Sequence, residues 1–285
     1  MTTTNEDILT PLTSPIPLTP KCHHYSSISQ VPKHLHKYFH QRYSLFSLYD
    51  SNIHLTNDAW FGVTPEPVAI QLSNDISPSS PQNSVLIDLF GGVGNNSISF
   101  ALSPHPQKWS RIILIEKDIS TLACAQHNAS IYRVYDQITF VHGDCLDYLW
   151  RLKTDPERLL HPDLRVNMSS TTLFVSPPWG GVDYAKDEIF DLSKMEPYNL
   201  EVLHEACKPM EHALYLPRTS DLRQLAKLVV SGKQKMDVVQ YCMEGASKAL
   251  VAYVPAEGGY HHDDEEEEEE GEGEGYYEDS VEYQE

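Results

Sequence analysis

The 285-residue chain has no apolar run approaching the roughly 20 residues that a membrane-spanning helix requires. Its Thr- and Asn-rich start, Met1 to Thr10, lacks the basic-then-apolar order of a signal peptide. A soluble, intracellular protein is expected. Cysteine is scarce: five, at positions 22, 124, 145, 207 and 242, odd in number, widely spaced and without a CxxC pair. That excludes a disulfide framework and a zinc knuckle, so the thiols read as reduced and mostly core. Histidines number 14, but His23-His24 and His261-His262 are adjacent pairs in polar segments, and there is no HExxH or Cys/His cluster. No metal site is expected. Basic residues are few as well, 21 Lys+Arg against 41 Asp+Glu, for a formal net charge of -20. Taken whole, that argues against a nucleic-acid partner. Residues 261–285, however, hold 14 of the acids and no Lys or Arg, which leaves 27 acids against 21 bases, a net of -6, on residues 1–260. The headline charge is mostly a tail.

What is present divides the chain into four parts. Residues 1–32 carry Pro11, Pro15, Pro17, Pro20 and Pro32 among Thr and Ser, and read as a disordered leader that cannot bury enough apolar surface to offset chain entropy. Residues 33–75 form a small N-terminal helical extension. In it, Lys33 to Phe46 fits a short helix with Leu35, Tyr38, Phe39, Tyr43 and Phe46 on one apolar face, a packing helix that could also meet RNA. Residues 76–256 alternate short, nearly unbroken apolar runs with helix-like segments. The runs are Ser84–Phe90, Arg111–Ile115, Ile138–His142, Thr171–Val175 and Ala213–Leu216. Helices are expected at Asn96–Leu102, Ile119–Tyr132, Cys145–Lys153, Leu200–Lys208 and Asp221–Val229. Such β-α alternation specifies an α/β fold with a parallel sheet covered on both faces. Two further runs, Lys235–Met243 and Lys248–Val254, flank Glu244-Gly245-Ala246-Ser247 and read as an edge hairpin. Thr154–Ser170 reads as a surface insertion. Residues 257–285 are expected to be a disordered acidic tail, extended by its own charge.

The chemistry begins where the first run ends, in Asp88-Leu89-Phe90-Gly91-Gly92-Val93-Gly94-Asn95-Asn96. Glycines between strand and helix let the backbone approach a ligand, and the helix start offers unpaired N–H groups. A dinucleotide site has similar needs. Two later acids narrow the choice. Glu116 follows the second run, where a carboxylate can accept both ribose hydroxyls, and Asp144 follows the third, where it can accept from an adenine amino group. One acid per strand end, at Asp88, Glu116 and Asp144, suits S-adenosylmethionine, whose ammonium and sulfonium are cationic; pyrophosphate would be repelled. The fourth run closes in Ser176-Pro177-Pro178-Trp179-Gly180-Gly181. A polar residue followed by Pro-Pro-aromatic suits methyl transfer to a planar amine. Ser176 and the Pro177 carbonyl can accept the two amine hydrogens, while Trp179 stacks on the base. The two prolines stiffen the loop, and a nicotinamide dehydrogenase would have no use for it.

Trp60-Phe61-Gly62-Val63-Thr64-Pro65-Glu66, Asp88 to Asn96, Ser176 to Gly181 with Asp183-Tyr184, and Leu216-Pro217-Arg218 occur in the order and spacing of the trimethylguanosine synthase family, which this chain resembles from about Tyr38 to Val254. The resemblance implies a class I S-adenosylmethionine-dependent methyltransferase domain, Rossmann-like, with a mostly parallel seven-stranded sheet and a C-terminal antiparallel hairpin. It implies dimethylation of the exocyclic N2 of 7-methylguanosine caps on small nuclear and nucleolar RNAs, in the nucleus and its nucleolus. Trp179 is implied to stack on the methylated guanine and Ser176 to hold its amine. Phe61, Thr64 and Pro65, with Trp60, are implied to cover the cofactor beside Asp88, Gly92, Gly94, Asn96, Glu116, Asp144 and Ser176. Arg218 is implied to meet cap phosphates, Tyr184 lies in the substrate segment, and cations within Lys33–Arg42 are further phosphate candidates. The chain departs from the family pattern at Gly91, at Asn95-Asn96-Ser97, at Val182 and at Thr219. Ribonucleoprotein core proteins with basic tails are a further partner expectation. Alternatives are another planar amine, in ribosomal guanine N2, adenine N6 or a protein amide, and a silent cap-binding adaptor. The intact set Asp88, Glu116, Asp144 and Ser176 speaks against the adaptor, since a pure binder needs only the stacking face.

Overall fold

The computed structural model describes residues 9–76, 84–104, 109–181, 187–229 and 235–257. Residues 9–32 correct the expectation of a disordered leader. Strand β1 (Thr10–Pro11) pairs antiparallel with the run Ile138–His142. The Leu12 amide donates to the Phe140 carbonyl at 2.9 Å, and the Ile16 amide donates to Gln126 Oε1 at 2.8 Å. His23 and Leu55 exchange both backbone hydrogen bonds, at 2.8 and 2.9 Å. Composition misleads here because the prolines suit an extended strap that takes its hydrogen bonds and burial from neighbouring elements. Leu9, Tyr25 and Val31 are buried in this way.

The helix expected over Lys33–Phe46 is broken into a 3-10 turn at Lys33–Leu35, α1 (His36–Phe39) and α2 (Arg42–Leu45). Leu35, Phe39 and Phe46 are buried as expected, whereas Tyr43 is 48% exposed. Helices α3 (Ala59–Gly62) and α4 (Glu66–Asp75), the latter with proline in its first turn, complete an N-terminal layer. Its centre is Trp60, buried among Tyr25, Phe39 and Tyr49.

Beyond this layer the chain alternates as the apolar runs predict. In order come β2 (Val85–Asp88), α5 (Asn95–Leu102), β3 (Arg111–Glu116), α6 (Ile119–Ile131), β4 (Ile138–His142), α7 (Cys145–Thr154) and β5 (Thr171–Val175). Then follow α8 (Leu200–Cys207), β6 (Glu211–Pro217), α9 (Leu222–Leu225), β7 (Asp237–Met243) and β8 (Ala246–Val254). The sheet order is β1-β4-β3-β2-β5-β6-β8-β7. Strands β2 to β6 are mutually parallel, and β8 is antiparallel to both its neighbours. Among the described residues eight strands result rather than seven, because the strap adds β1. Leu86, Leu114, Phe140 and Phe174 fill one core layer, and Ile87, Ile113, Val141 and Leu173 fill the other. Burial on both faces is why these runs are unbroken rather than alternating.

Three local expectations change. The stretch 154–170 is not a mere surface insertion: its 3-10 turns bury Leu159 and Leu164, and the Tyr148 hydroxyl donates to the Leu164 carbonyl at 3.0 Å. The helix expected over Asp221–Val229 shortens to α9. The hairpin turn is only Glu244-Gly245, with φ of 52° and 75°, the two-residue geometry whose twist matches the strands. The acidic tail, from residue 258, lies outside the described residues.

Strand β2 pairs with β3 on one side and β5 on the other, so the chain winds outward in both directions from this point. Such a switch opens a crevice at the carboxyl ends of the strands. Away from it, α8 and β6 enclose a histidine pair: His204 Nδ1 lies 3.1 Å from His212 Nε2, and His212 Nδ1 lies 2.8 Å from the Met210 carbonyl. Burial holds His212 down to about 4 and His204 below its ordinary value. Both folded values lie under the unfolded one of about 6.5, so the unfolded chain takes up protons first. Stability is therefore complete above that value and declines as pH falls toward 4. In denaturant titrations the pair is expected to contribute a loss between pH 7 and 5 approaching about 1.4 kcal/mol per pH unit for each proton taken up, opposed in the same range by Asp88, which burial raises. His212→Asn should flatten that slope; an equally steep slope in the variant would contradict the assignment.

Candidate active site

The turn after β2 is built on close approach. The Gly91 amide donates to the Ile115 carbonyl at 2.9 Å, and a Cβ at Gly91 would stand 2.2 Å from Leu114 Cγ. Gly94, at φ +91°, packs its Cα side against Ala125 of α6. The Gly92 amide then donates to Glu116 Oε2 at 2.9 Å, while the Asp118 amide donates to Glu116 Oε1 at 2.8 Å. Burial raises Glu116 above the ordinary carboxylate value, and these two amides partly oppose it.

Asp88 lies beneath this turn, fully buried. Ser97 Oγ donates to its Oδ2 at 2.8 Å, and Oδ1 accepts no well-formed hydrogen bond from the described residues. Burial pushes Asp88 up to about 7, against the pull of the Ser97 hydroxyl and the Phe90 amide. A cation nearby would restore the carboxylate.

The crevice is a cleft of about 390 Å³. Of the residues read from sequence, it is lined by Thr64, Gly92, Asn96, Glu116, Asp144, Ser176 and Pro177. Asp88 and Gly94 stand behind the wall rather than in it. Phe61 is 38% exposed and meets Tyr38 edge-on at 5.0 Å, and Pro65 serves the start of α4, its carbonyl accepting the Val68 and Ala69 amides at 2.9 and 3.0 Å. Thr64 reaches the cleft because Asn95 Nδ2 donates to its carbonyl. Glu66, two residues on from Thr64, accepts from Ser47 Oγ at 2.8 Å and from the Tyr132 hydroxyl at 3.0 Å, which fixes this wall. Tyr184 lies outside the described residues.

Asp144 does more than the sequence suggested. Its Oδ1 caps α7, accepting the Leu146 and Asp147 amides at 2.8 and 3.2 Å. Its Oδ2 accepts from Lys117 Nζ and from the Tyr198 hydroxyl, both at 2.9 Å. Burial alone would raise this carboxyl, but Lys117, Tyr198 and the two amides outweigh it and hold it below its ordinary value. Thr56, Asp58, Lys117 and Tyr198 are cleft residues that sequence reading missed. Lys117 was signalled only by its place beside Glu116, and Tyr198 by nothing local.

The loop after β5 borders the cleft through Ser176, Pro177 and Pro178. Ser176 Oγ lies 3.4 Å from the Phe90 carbonyl. Gly180 and Gly181, at φ +86° and +93°, turn the chain where other residues would be strained. Trp179 points away from the cleft to β6: its ring stacks on Tyr215 at 5.8 Å and 19°, and its Nε1 donates to the Tyr215 carbonyl at 3.3 Å. The ring stays half-buried, and exposed Arg218 follows the end of the same strand.

The residues fit S-adenosylmethionine. Asn96 borders the cleft, its Oδ1 buried and without a hydrogen-bond partner among the described residues, and Asp88 Oδ1, behind the wall, is a second such acceptor. Both call for donors or positive charge, and the lining carboxylates Glu116 and Asp144 disfavour a pyrophosphate.

Comparison with known proteins agrees. A family model described as RNA cap guanine-N2 methyltransferase matches residues 83–257. The chain is similar to trimethylguanosine synthase of Schizosaccharomyces pombe, 35% identical over 231 residues, which are 80% of this chain and 89% of that protein. It is also similar to trimethylguanosine synthase of Saccharomyces cerevisiae, 31% identical over 197 residues, 68% of this chain and 58% of that protein. The solved structure of a methyltransferase-like protein from Porphyromonas gingivalis W83 shares the fold, with TM-score 0.54 and 19% identity over 79% of this chain and 51% of that one.

Asp88→Asn keeps an acceptor for Ser97 and removes the buried charge. Calorimetric titration with S-adenosylhomocysteine, which retains the ammonium, should show binding weakened at least about tenfold, or 1.4 kcal/mol, while ligand-free stability at pH 8 does not fall. Unchanged affinity would leave Asp88 a purely structural residue.

Proposed function

We propose, from the premise that the chain belongs to the RNA cap guanine-N2 methyltransferase family, that it converts 7-methylguanosine caps of small nuclear and nucleolar RNAs to 2,2,7-trimethylguanosine. Family membership makes the protein an S-adenosylmethionine-dependent enzyme that methylates the N2 of the RNA cap guanine. The double methylation, the RNA class and the residue roles are our reading. Both curated relatives carry the name trimethylguanosine synthase, which supports the product. The observation that carries the residue roles is the loop Ser176 to Gly181, which lines the cleft through Ser176 and Pro177 while presenting Trp179 on the other side, against Tyr215.

When bound, S-adenosylmethionine supplies an electrophilic methyl group. Glu116 is suited to its ribose hydroxyls, the Asp144 end of the cleft to its purine, and Asn96 with Asp88 to its ammonium. The chain's own work is alignment. Ser176 Oγ and the Pro177 carbonyl accept the two hydrogens of the guanine amine and so aim its lone pair into the cleft. The prolines hold that geometry without rearrangement. Trp179, braced by Tyr215, stacks on the base, and a 7-methylated guanine adds cation–π attraction of roughly 0.5 to 2 kcal/mol that an unmethylated one forfeits. Arg218 meets the cap phosphates. Because the amine proton can depart after transfer, positioning and exclusion of water suffice without a strong base.

We further place the enzyme in the nucleus and its nucleolus, where such RNAs mature. Ribonucleoprotein core proteins with basic tails complement the 14 acids of residues 261–285.

A radiolabelled methyl assay on 7-methylguanosine triphosphate, guanosine triphosphate and bulk RNA tests the reading. Only the first should be a good acceptor, and Trp179→Ala should lower its kcat/KM by at least about 30-fold, roughly 2 kcal/mol. Affinity for S-adenosylhomocysteine should stay unchanged. Sustained turnover by Trp179→Ala would remove the proposed role of the ring.

A further inference from the structure

Tyr198 stands two residues before α8, on the chain returning from the Ser176–Gly181 loop, and it lines the cleft. Its ring centroid lies 6.3 Å from that of Phe90, tilted 51°. Its hydroxyl is one of four donors on Asp144, with the Leu146 and Asp147 amides and Lys117 Nζ. An ionised carboxylate has about four acceptor sites, so Asp144 is full. A purine amino group could reach it only by displacing a donor. Lys117 is the donor that yields: its side chain is 69% exposed, and a solvated ion pair contributes little. Tyr198 is half-buried and bonded to a carboxylate that is itself only 16% exposed.

We propose that Tyr198 is a cofactor-positioning residue, whose ring forms the wall against which the purine of S-adenosylmethionine lies, and that Asp144 acts on the cofactor mainly through it, by fixing that ring. The placement follows from the order of acids along the cleft, Glu116 at the end of β3 for the ribose and Asp144 at the end of β4 for the purine. A phenol with few rotatable bonds, anchored at its far end before the ligand arrives, loses little further freedom on binding. Burial and the Asp144 carboxylate push Tyr198 up to about 12, so its hydroxyl remains a donor throughout the neutral range.

The inference rests on the cofactor and not on the cap product, so binding measurements test it separately. Full-length protein is titrated calorimetrically with S-adenosylhomocysteine and with adenosine. Tyr198→Ala should weaken both by about 30-fold, in the range found for a stacked base. Tyr198→Phe, which keeps the ring and loses the anchor, should cost about three- to fivefold. Asp144→Ser retains a capping oxygen for α7 but cannot hold Tyr198. The double variant Asp144→Ser/Tyr198→Phe should be no weaker than the weaker single variant. In turnover, KM for S-adenosylmethionine should rise by the same factors with kcat within about twofold, and ligand-free melting temperatures, lowered by the lost hydrogen bonds, should fall by no more than a few degrees. Three results would overturn the proposal: S-adenosylhomocysteine binding by Tyr198→Ala within about twofold of wild type, losses of Asp144→Ser and Tyr198→Phe that multiply in the double variant, or a defect confined to KM for capped RNA.

Discussion

Gly91 and the Leu114 side chain approach so closely that a Cβ at position 91 would stand 2.2 Å from Leu114 Cγ, and the turn after β2 is packed on that contact. The approach brings the Gly91 amide to the Ile115 carbonyl and the Gly92 amide to Glu116. The ends of β2 and β3 are thereby joined by their own backbone. Helix α5 begins directly after, and its Asn95 side chain reaches back to the Thr64 carbonyl, which ties the N-terminal layer to the same point. One crowded glycine thus couples the sheet, the first helix after it and the wall contributed by residues 56–64.

The electrostatic logic of the cleft is the reverse of a nucleotide phosphate site. Asp88, Glu116 and Asp144 converge on it from three neighbouring strands, and burial raises the first two. An acidic, partly desolvated site costs stability unless a cation or hydrogen-bond donors complete it, which S-adenosylmethionine does. In the proposed reading the substrate base lies on the opposite side of the Ser176–Gly181 loop, against a tryptophan rather than among carboxylates. A negatively charged chain can therefore act on RNA by taking one cationic, stackable end group, with most of its net negative charge confined to the tail.

Much of this was legible beforehand, for identifiable reasons. Strands buried on both faces leave unbroken apolar runs, and β4 and β5 appear with the bounds expected. The acids at positions 88, 116 and 144 were recognisable because strand ends are fixed by those runs. What escaped reading depends on partners remote in sequence. The strap over residues 9–32 draws its order from Phe140, Gln126 and Leu55, none of which its own composition reveals. Tyr198 acquires meaning only by meeting Asp144, 54 residues away. Phe61 and Pro65 belong to a recognisable motif, yet Pro65 serves the start of a helix and Phe61 packs on Tyr38 outside the cleft, because a motif marks a segment and not which side chains face the ligand.

The most direct test is mass and chromatographic identification of the cap nucleoside released from 7-methylguanosine-capped RNA after incubation with the full chain and S-adenosylmethionine. The expected product is 2,2,7-trimethylguanosine, formed from the 7-methylated cap and not from an unmethylated one. Recovery of unchanged 7-methylguanosine, or equal methylation of both caps, would contradict a site built to aim a guanine amine across a stacked, cationic base.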